Sequence, residues 1–576
     1  MNILGISGQE RDAAAALVQD GRVVAAIEEE KLARIRHIGI NYAGGLPFRA
    51  VEFCLERAGI NFDKIDYVAY YLEPHRRFHR EIAFNSSRAI EAVEQGSIEG
   101  FPTYFVESLN DLKQRQRTRR LVESRLSSDA KFVEVPHHLG HGASAFFASG
   151  FERAAVITAD NRGDMTSAAL MTGDGGLIRI HAEALFPNSI GMVFGAVTAA
   201  LGFDADGDWH KTMWLSPTGK PEFAEVFERL LSVDSNGLPV VNLDYLDLPL
   251  QGSPTLSRLF FDRAGMEARA KDQPIAEKHR NLAASAQACI ENVLCEIAVR
   301  HREKSGETNL CMAGGVALNS LAASAVERRA GFARLFVQPA AGNAGCSLGA
   351  ALYVWHQVLG NREREYQMRH AFLGPQFNDE AIKSVLDNCK ITYEYSLTED
   401  KLIAEVARLL AQGKIVGWFR GAMEFGPRSL GARSILASPT SEMMRDNLNA
   451  FIKHREEFRP FCAAVPEERT EEFFEASALN EFLQGVSVIK EPKRQLVPAA
   501  IFGDGLVRVH SVSRKTNPAF WKLLTRFGEL AGVPVLLNTS FNLFGEPVVS
   551  TPREAVRGFY CSGIDSLAIG NFLIKK

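Results

Sequence analysis

Between residues 309 and 356 the sequence twice runs from an apolar stretch through glycines into small residues, as NLCMAGGVALNSLAASAV and then ARLFVQPAAGNAGCSLGAALYVWH. Each reads as strand, glycine turn and helix, and the repetition predicts a duplicated α/β layout. Open sheets of this kind bind ligands where strands end, because turn N–H groups and a helix N-terminus face one spot. Gly314 and Gly315 mark the first turn; Gly342, Gly345 and Gly349 mark the second. A tight strand–helix corner also demands glycine, so either turn alone supports anion binding and close packing alike.

The flanking sequence fits that layout. Strands are expected at 3–7, 13–18 and 22–29, with Asp20-Gly21 as a hairpin turn between the last two. A helix near 46–58 and a strand at 66–72 follow, then a charged, helix-like segment at 75–128. From 131 a strand leads through Pro136 into HHLGHGASAFFASG, then the strand AAVITAD and a hairpin around 173–176; the spacing at 280–304 is helical. Segment 360–398 is charged and broken by Gly360, Asn361 and Gly374-Pro375, and KIVGWFRG at 414–421 opens a second α/β unit. With 576 residues, the chain exceeds the roughly 250–300 at which single cores stop growing. The expected organisation is one domain over 1–360, a linker region over 361–398 and a second domain over 399–576.

Composition narrows the function. A formal net charge of −4 argues against a dedicated nucleic-acid binder. No apolar run approaches the roughly 18–20 residues of a membrane span, and the N-terminus lacks a signal-peptide pattern. The eight cysteines form no CxxC pair, which predicts buried, reduced thiols in a cytoplasmic enzyme.

Two constellations carry chemistry beyond the glycine turns. His137 and His141 stand at i and i+4 directly after Pro136, a spacing that lets two imidazoles hold one metal, although His pairs also cap helices or fill cores. Asp160, at the end of the next strand, is placed to complete a site for iron, zinc or manganese. Farther on, GAMEFGPRSLGARS carries Arg428 and Arg433, FIKHREEFRPF carries Lys453, Arg455 and Arg459, and Arg508 and the run Asn538-Thr539-Ser540-Phe541-Asn542 follow. Guanidinium forks and an ammonium beside glycines point to an anion pocket rather than a solvated basic face.

With these residues assembled, the chain resembles the O-carbamoyltransferases of the nodulation-factor and antibiotic-tailoring type. EFGPRSLGARS, KHREEFRPF and LLNTSFNLFGEP carry the resemblance most specifically, with HHLGHGASAFF, AGGVALN and EEEKLARIRH in support. It implies an α/β fold in two parts: an actin/hexokinase-like (ASKHA) duplicated N-terminal domain with a bound metal, usually iron, and a YrdC-like C-terminal domain. It further implies that the second part forms carbamoyl-adenylate from carbamoyl phosphate and ATP, with Mg accompanying the nucleotide. The carbamoyl group then passes to a small hydroxylated or amino metabolite in secondary-metabolite biosynthesis. By resemblance, His137, His141, Asp160 and Asn343 fall on the metal, and Arg428, Arg433, Lys453, Arg459, Arg508, Asn538, Ser540 and Asn542 on the carbamoyl phosphate and nucleotide site. Gly314, Gly315, Asn319 and Gly342 become nucleotide contacts of the first part, and Arg11, Asp12 and Lys211 its catalytic candidates.

The departures cluster in the first half. Arg11 stands where the family has a His, and Arg cannot act as a base near neutrality. Asn343 replaces a ligating Asp, which removes charge from the metal site. Trp209 to Ser216, WHKTMWLS, is bulkier than the family pattern around Lys211, and Asn161 replaces a Gly. The leading expectation is an ATP-dependent carbamoyltransferase, with Arg11 gripping an anionic acceptor. Two others compete: the activated intermediate used for N-transfer, amide or ring formation, or a degenerate homologue kept as a binding partner. Segment 75–128 offers an interface for a homodimer.

Overall fold

The computed structural model describes residues 1–94, 101–127, 129–249 and 253–576. The chain divides into two units: Met1–Ala26 with Ile38–Gln367, and Ile27–His37 with Met368–Lys576.

The first unit is built on two five-stranded sheets. The first contains β1 (Asn2–Ser7), β2 (Ala14–Gln19), β3 (Arg22–Glu28), β4 (Tyr67–Tyr70) and β5 (Lys131–Glu134), in the order β3-β2-β1-β4-β5. The second contains β6 (Arg153–Gly163), β7 (Thr166–Asp174), β8 (Leu177–Leu185), β9 (Asn309–Ala313) and β10 (Arg334–Val337), in the order β8-β7-β6-β9-β10. In both, the third, second, first, fourth and fifth strands lie side by side, so the duplication expected from sequence is present at the level of topology. The first and fourth strands of each sheet run parallel, the first and second antiparallel. Parallel strands are buried on both faces, which explains unbroken apolar runs such as Leu310–Ala313. Asp20 and Gly21, at φ 47° and 81°, make the expected two-residue hairpin turn.

Helices cover these sheets: α1 (Phe48–Ala58), α2 (His137–Ser149), α3 (Glu277–Ser305), α4 (Ser320–Arg329) and α5 (Asn343–Tyr353). By length and composition α3 is apolar enough to cross a membrane, contrary to the reading of the sequence, but most of its apolar window is buried within this unit. The charged segment 75–128 is helical over Pro74–Glu94 and Phe101–Glu123; residues 95–100 and 128 of it lie outside the described residues.

The second unit holds one nine-stranded mixed sheet. Its strands are β11 (Glu394–Tyr395), β12 (Val416–Phe419), β13 (Arg433–Ala437), β14 (Cys462–Pro466), β15 (Ser487–Val488), β16 (Leu506–Val512), β17 (Leu536–Ser540), β18 (Ser566–Ile569) and β19 (Phe572–Lys575). They lie in the order β11-β19-β18-β12-β13-β17-β14-β16-β15. Trp418, Phe419, Phe461, Phe520, Phe527 and Phe541 anchor its core.

Candidate functional site

In the first unit α2 begins at His137, just after Pro136, so His137 and His141 fall one turn apart on one face. β6 brings Asp160 to the same point. The two Nε2 atoms are 3.0 Å apart, and Asp160 Oδ2 lies 3.4 Å from His137 Nε2 and 3.0 Å from His141 Nε2. Burial favours the neutral form of His141 and lowers its pKa. Burial opposes ionisation of Asp160, but hydrogen bonds from both imidazoles outweigh it and hold the carboxyl well below the usual range. Three donor atoms of the kinds that bind a transition metal therefore converge. His138 is engaged elsewhere. Its Nδ1 lies 2.7 Å from Thr158 Oγ1, and burial pushes its pKa down to about 3.

A cavity of about 420 Å³ opens on this cluster. Of the residues singled out from sequence, Arg11, Asp12, His137, Asp160, Gly315, Asn319, Gly342 and Asn343 line it. Arg11 donates Nη1 to the carbonyl of Asp206, sits 3.4 Å from Asp12 and keeps a buried Nη2 without a polar partner. Asn343 opens α5 and points Nδ2 toward the Arg11 carbonyl at 3.4 Å. Asn319 is committed elsewhere, capping α4 at Ala322 and exchanging hydrogen bonds with Gln287. Lys211 lies outside the lining, paired with Asp208 at 3.0 Å and above the Phe203 ring. Its neighbour Trp209 lines the cavity instead.

Sequence reasoning missed Glu10, Tyr71, Arg77 and Arg162 in this lining. Glu10 Oε1 accepts from Arg77 Nη2 at 2.6 Å and from Arg115 Nη2 at 2.9 Å, and Arg77 foremost holds its carboxyl far below the usual range. Arg77 and Arg115 are two among many arginines of the charged segment, and no local motif sets them apart.

The second glycine turn divides in its roles. A methyl on Gly349 would collide with the Gly140 carbonyl, so that glycine lets α5 cross α2 in backbone contact. A methyl on Gly342 would meet Leu318 Cδ1 at an unstrained 3.6 Å. Gly349→Ala should therefore cost roughly 1–3 kcal/mol in urea melts, while Gly342→Ala stays within about 0.5 kcal/mol.

The second unit assembles the cations. β14 pairs with β16 and β17 so that Cys462 sits opposite Arg508 on one side and Asn538 on the other, in one row across the sheet. Ser540 lies two residues beyond Asn538, on the same face. A π-helical turn over Leu448–Lys453 ends at His454 with φ 45° and delivers Lys453. Its ammonium donates to Ser540 O (2.9 Å), Ser540 Oγ (3.3 Å), Asn542 O (3.1 Å) and Asn542 Oδ1 (2.6 Å). All four acceptors are neutral, so none of them supplies a counter-charge to Lys453. Burial, then Arg508 and Arg459, holds Arg428 well below the ordinary guanidinium range. Burial, then Arg455, Arg459 and Arg36, does the same to Lys453, and burial pushes Arg508 down to about 10. These cations repel one another, with Glu456, 3.6 Å from Arg459, the acid beside them, and a phosphate between them would reverse the sign of that repulsion.

Arg433 stands apart from them. Its guanidinium lies over Phe419 and donates to the carbonyls of Arg420, Gly421, Ala432 and Pro375. Asn538 donates Nδ2 to the Ser429 carbonyl at 3.0 Å.

Residues 2–352 match the family model described as Carbamoyltransferase N-terminus, and 407–576 match Carbamoyltransferase C-terminus. Nodulation protein NolNO of Sinorhizobium fredii is 36% identical over 572 residues, covering 98% of this chain and 79% of that one. Nodulation protein NolO of Bradyrhizobium diazoefficiens is 35% identical over 444 residues, covering 76% of this chain and 78% of that one. A solved structure of full-length HypF in its phosphate- and nucleotide-bound form is a remote likeness, with TM-score 0.33 and 13% identity over 63% of this chain and 56% of that one. A two-part α/β chain with these sites and matches belongs to the carbamoyltransferase family. It is a carbamoyltransferase enzyme.

Proposed function

We propose that the second unit activates carbamoyl phosphate with ATP and that the first unit's cavity transfers the carbamoyl group to a hydroxyl of a small metabolite. The shared burial of Arg428, Lys453 and Arg455, each held below its ordinary proton affinity first by burial and then by Arg459 and other neighbouring cations, carries this reading, since buried like charges are costly unless an anion joins them. Carbamoyl phosphate and a triphosphate supply such anions. Water takes the phosphoryl group of carbamoyl phosphate as its P–O bond breaks, leaving carbamate and phosphate; a carbamate oxygen then bonds to the α-phosphorus of ATP as pyrophosphate leaves, giving carbamoyl-adenylate. Arg428, Arg459 and Arg508 neutralise the phosphate oxygens while those bonds change.

In the first unit His137, His141 and Asp160 would hold a divalent metal, with iron fitting their two nitrogens and one oxygen; Asn343 would add at most a neutral oxygen. When bound, the metal supplies a Lewis acid for the carbamoyl carbonyl. The chain's own groups do the rest. The Asp12 carboxylate, in the cavity wall, takes the acceptor's proton, and the buried Nη2 of Arg11 holds an anionic group of the acceptor. The acceptor oxygen bonds to the carbamoyl carbon, and AMP leaves with the anhydride oxygen.

The test supplies ATP, carbamoyl phosphate and candidate acceptors, and follows pyrophosphate release and carbamoylated products by mass spectrometry. Carbamoyl-phosphate-dependent pyrophosphate release by wild type is the expected result; its absence from folded protein removes the proposal. Arg11→His should leave that release unchanged and raise the KM of an anionic acceptor about tenfold, as loss of one charge-assisted contact does.

A further inference from the structure

The segment Ile27–His37, IEEEKLARIRH, belongs to the second unit although more than three hundred residues separate it from the rest of that unit. Three of its side chains, Glu28, Lys31 and Arg34, hold two loops beside the cation site. Glu28 Oε1 accepts the N–H of Gly426 at 2.8 Å. Lys31 Nζ lies 2.9 Å from Glu28 Oε2 and donates to the carbonyls of Glu424 (2.8 Å) and Gly426 (2.9 Å). Both side chains are buried. From within the same loop, Glu424 Oε1 accepts the N–H groups of Leu430 (2.7 Å), Ala432 (2.9 Å) and Arg433 (3.3 Å). Asn538 donates to the Ser429 carbonyl, and Trp418 Nε1 donates to that of Gly431 at 3.0 Å.

All these bonds fall on residues 424–426 or 429–433, on either side of Pro427-Arg428. A loop with glycines at both shoulders has many conformations to lose, and Arg428 can meet a phosphate without that loss only if the shoulders are already fixed. The segment's other end acts on the second loop. Arg34 donates to the carbonyls of Pro547 (2.8 Å) and Val548 (2.5 Å) and pairs with Glu554 at 3.2 Å. That loop follows Asn542, an acceptor of Lys453, and Arg36 adds positive charge to the field at Lys453.

We propose that residues 27–37 are a strap that sets the anion site of the second unit, with Lys31 the positioning residue for Arg428. The proposal rests on the reading that this cluster binds the phosphates of carbamoyl phosphate and ATP. It places part of the activating machinery in a stretch of sequence enclosed by the transferring unit. Lys31 touches no substrate; it acts through the loop.

The experiment uses the full chain and inorganic pyrophosphate as the probe, titrated calorimetrically, with steady-state pyrophosphate release against carbamoyl phosphate alongside. Lys31→Met should bind the probe roughly tenfold more weakly and raise KM for carbamoyl phosphate by a similar factor, with kcat changed less. Lys31→Arg, which keeps the charge and donors for both carbonyls, should recover most of the loss. A Lys31→Met protein with a lower melting temperature but unchanged affinity and KM would overturn the proposal. Should Lys31→Met not fold, Glu424→Gln decides: weaker probe binding by a few-fold supports the strap, and wild-type affinity overturns it. A wild type that neither binds the probe nor releases pyrophosphate overturns the phosphate reading itself, and the strap with it.

Discussion

Arg428→Ala is expected to lower kcat/KM for carbamoyl-phosphate-dependent pyrophosphate release by ~10²–10³-fold, the scale on which a preorganised charge acts. The same substitution should raise the melting temperature of the ligand-free protein by about 2–4 °C for each kcal/mol of relieved repulsion. Both follow from one observation: burial and the neighbouring Arg508 and Arg459 depress the proton affinity of Arg428, so its charge opposes the empty fold. Pyrophosphate should reverse the order, stabilising wild type far more than the variant. The pH dependence has a defined sign. Folded Lys453 loses its proton below its ordinary value of 10.5, so over the interval beneath that value the unfolded chain binds more protons. Ligand-free stability should therefore rise with pH across this window, and saturating pyrophosphate should flatten the rise. Arg433 supplies the contrast, because its donors hold four backbone carbonyls and their loss leaves buried acceptors unpaired. An Arg428→Ala protein that melts lower, as Arg433→Ala should, would show that Arg428 is structural as well.

The difference between these two arginines shows where sequence runs out. Both sit in EFGPRSLGARS, five residues apart, and both carry the same group. Their fates diverge because Arg433 opens β13 over Phe419, whereas Arg428 rides a loop between glycines. Periodicity reveals strands but not which guanidinium a loop turns inward. The i, i+4 imidazoles were legible, because helix pitch fixes them locally; Asp160, expected at a strand end, lies three residues inside a strand that runs on to Gly163. The repeated glycine turns marked two consecutive strand–turn–helix units, β9 and β10 with their helices, within one sheet; the repetition of strand order between the two sheets had no such local mark. Lys211 was not placed by its motif: its pairing with Asp208 turns it away, and Trp209 takes the cavity wall. The strap was visible as EEEKLARIRH, yet its docking on residues 424–426 is a contact across nearly four hundred positions, for which no local pattern exists. Likewise Glu10 and Arg77 meet only after β4 and the helix beyond it are in place.

One turn escaped sequence reasoning altogether, and it carries the second large effect. The strand through Asp160 ends at Gly163, and the chain reverses through Asp164 and Met165, at φ 54° and 61°, before Thr166 pairs back. Neither residue favours positive φ as glycine does, so no Asn-Gly or Asp-Gly signal announces the hairpin. The turn is held by two backbone groups, one opening α2 and one just after β4: Asp164 Oδ2 accepts the N–H of His137 at 3.2 Å and that of Glu73 at 3.1 Å. It also brings Gly163 so close to the His137 ring that a methyl on its Cα would overlap the imidazole. Gly163→Ala must therefore displace His137, whose ring stands between Tyr71 and the cavity, out of its position facing His141 and Asp160. The expected result is a protein that releases pyrophosphate from ATP and carbamoyl phosphate at the wild-type rate but forms no detectable carbamoylated product. Its iron affinity, followed by equilibrium dialysis, should fall by at least about 10–100-fold, the range associated with a disturbed ligand orientation. Wild-type metal affinity in folded Gly163→Ala would show that the imidazole of His137 is not held for an ion. Loss of pyrophosphate release together with product would show that the two half-reactions do not divide between the units as proposed.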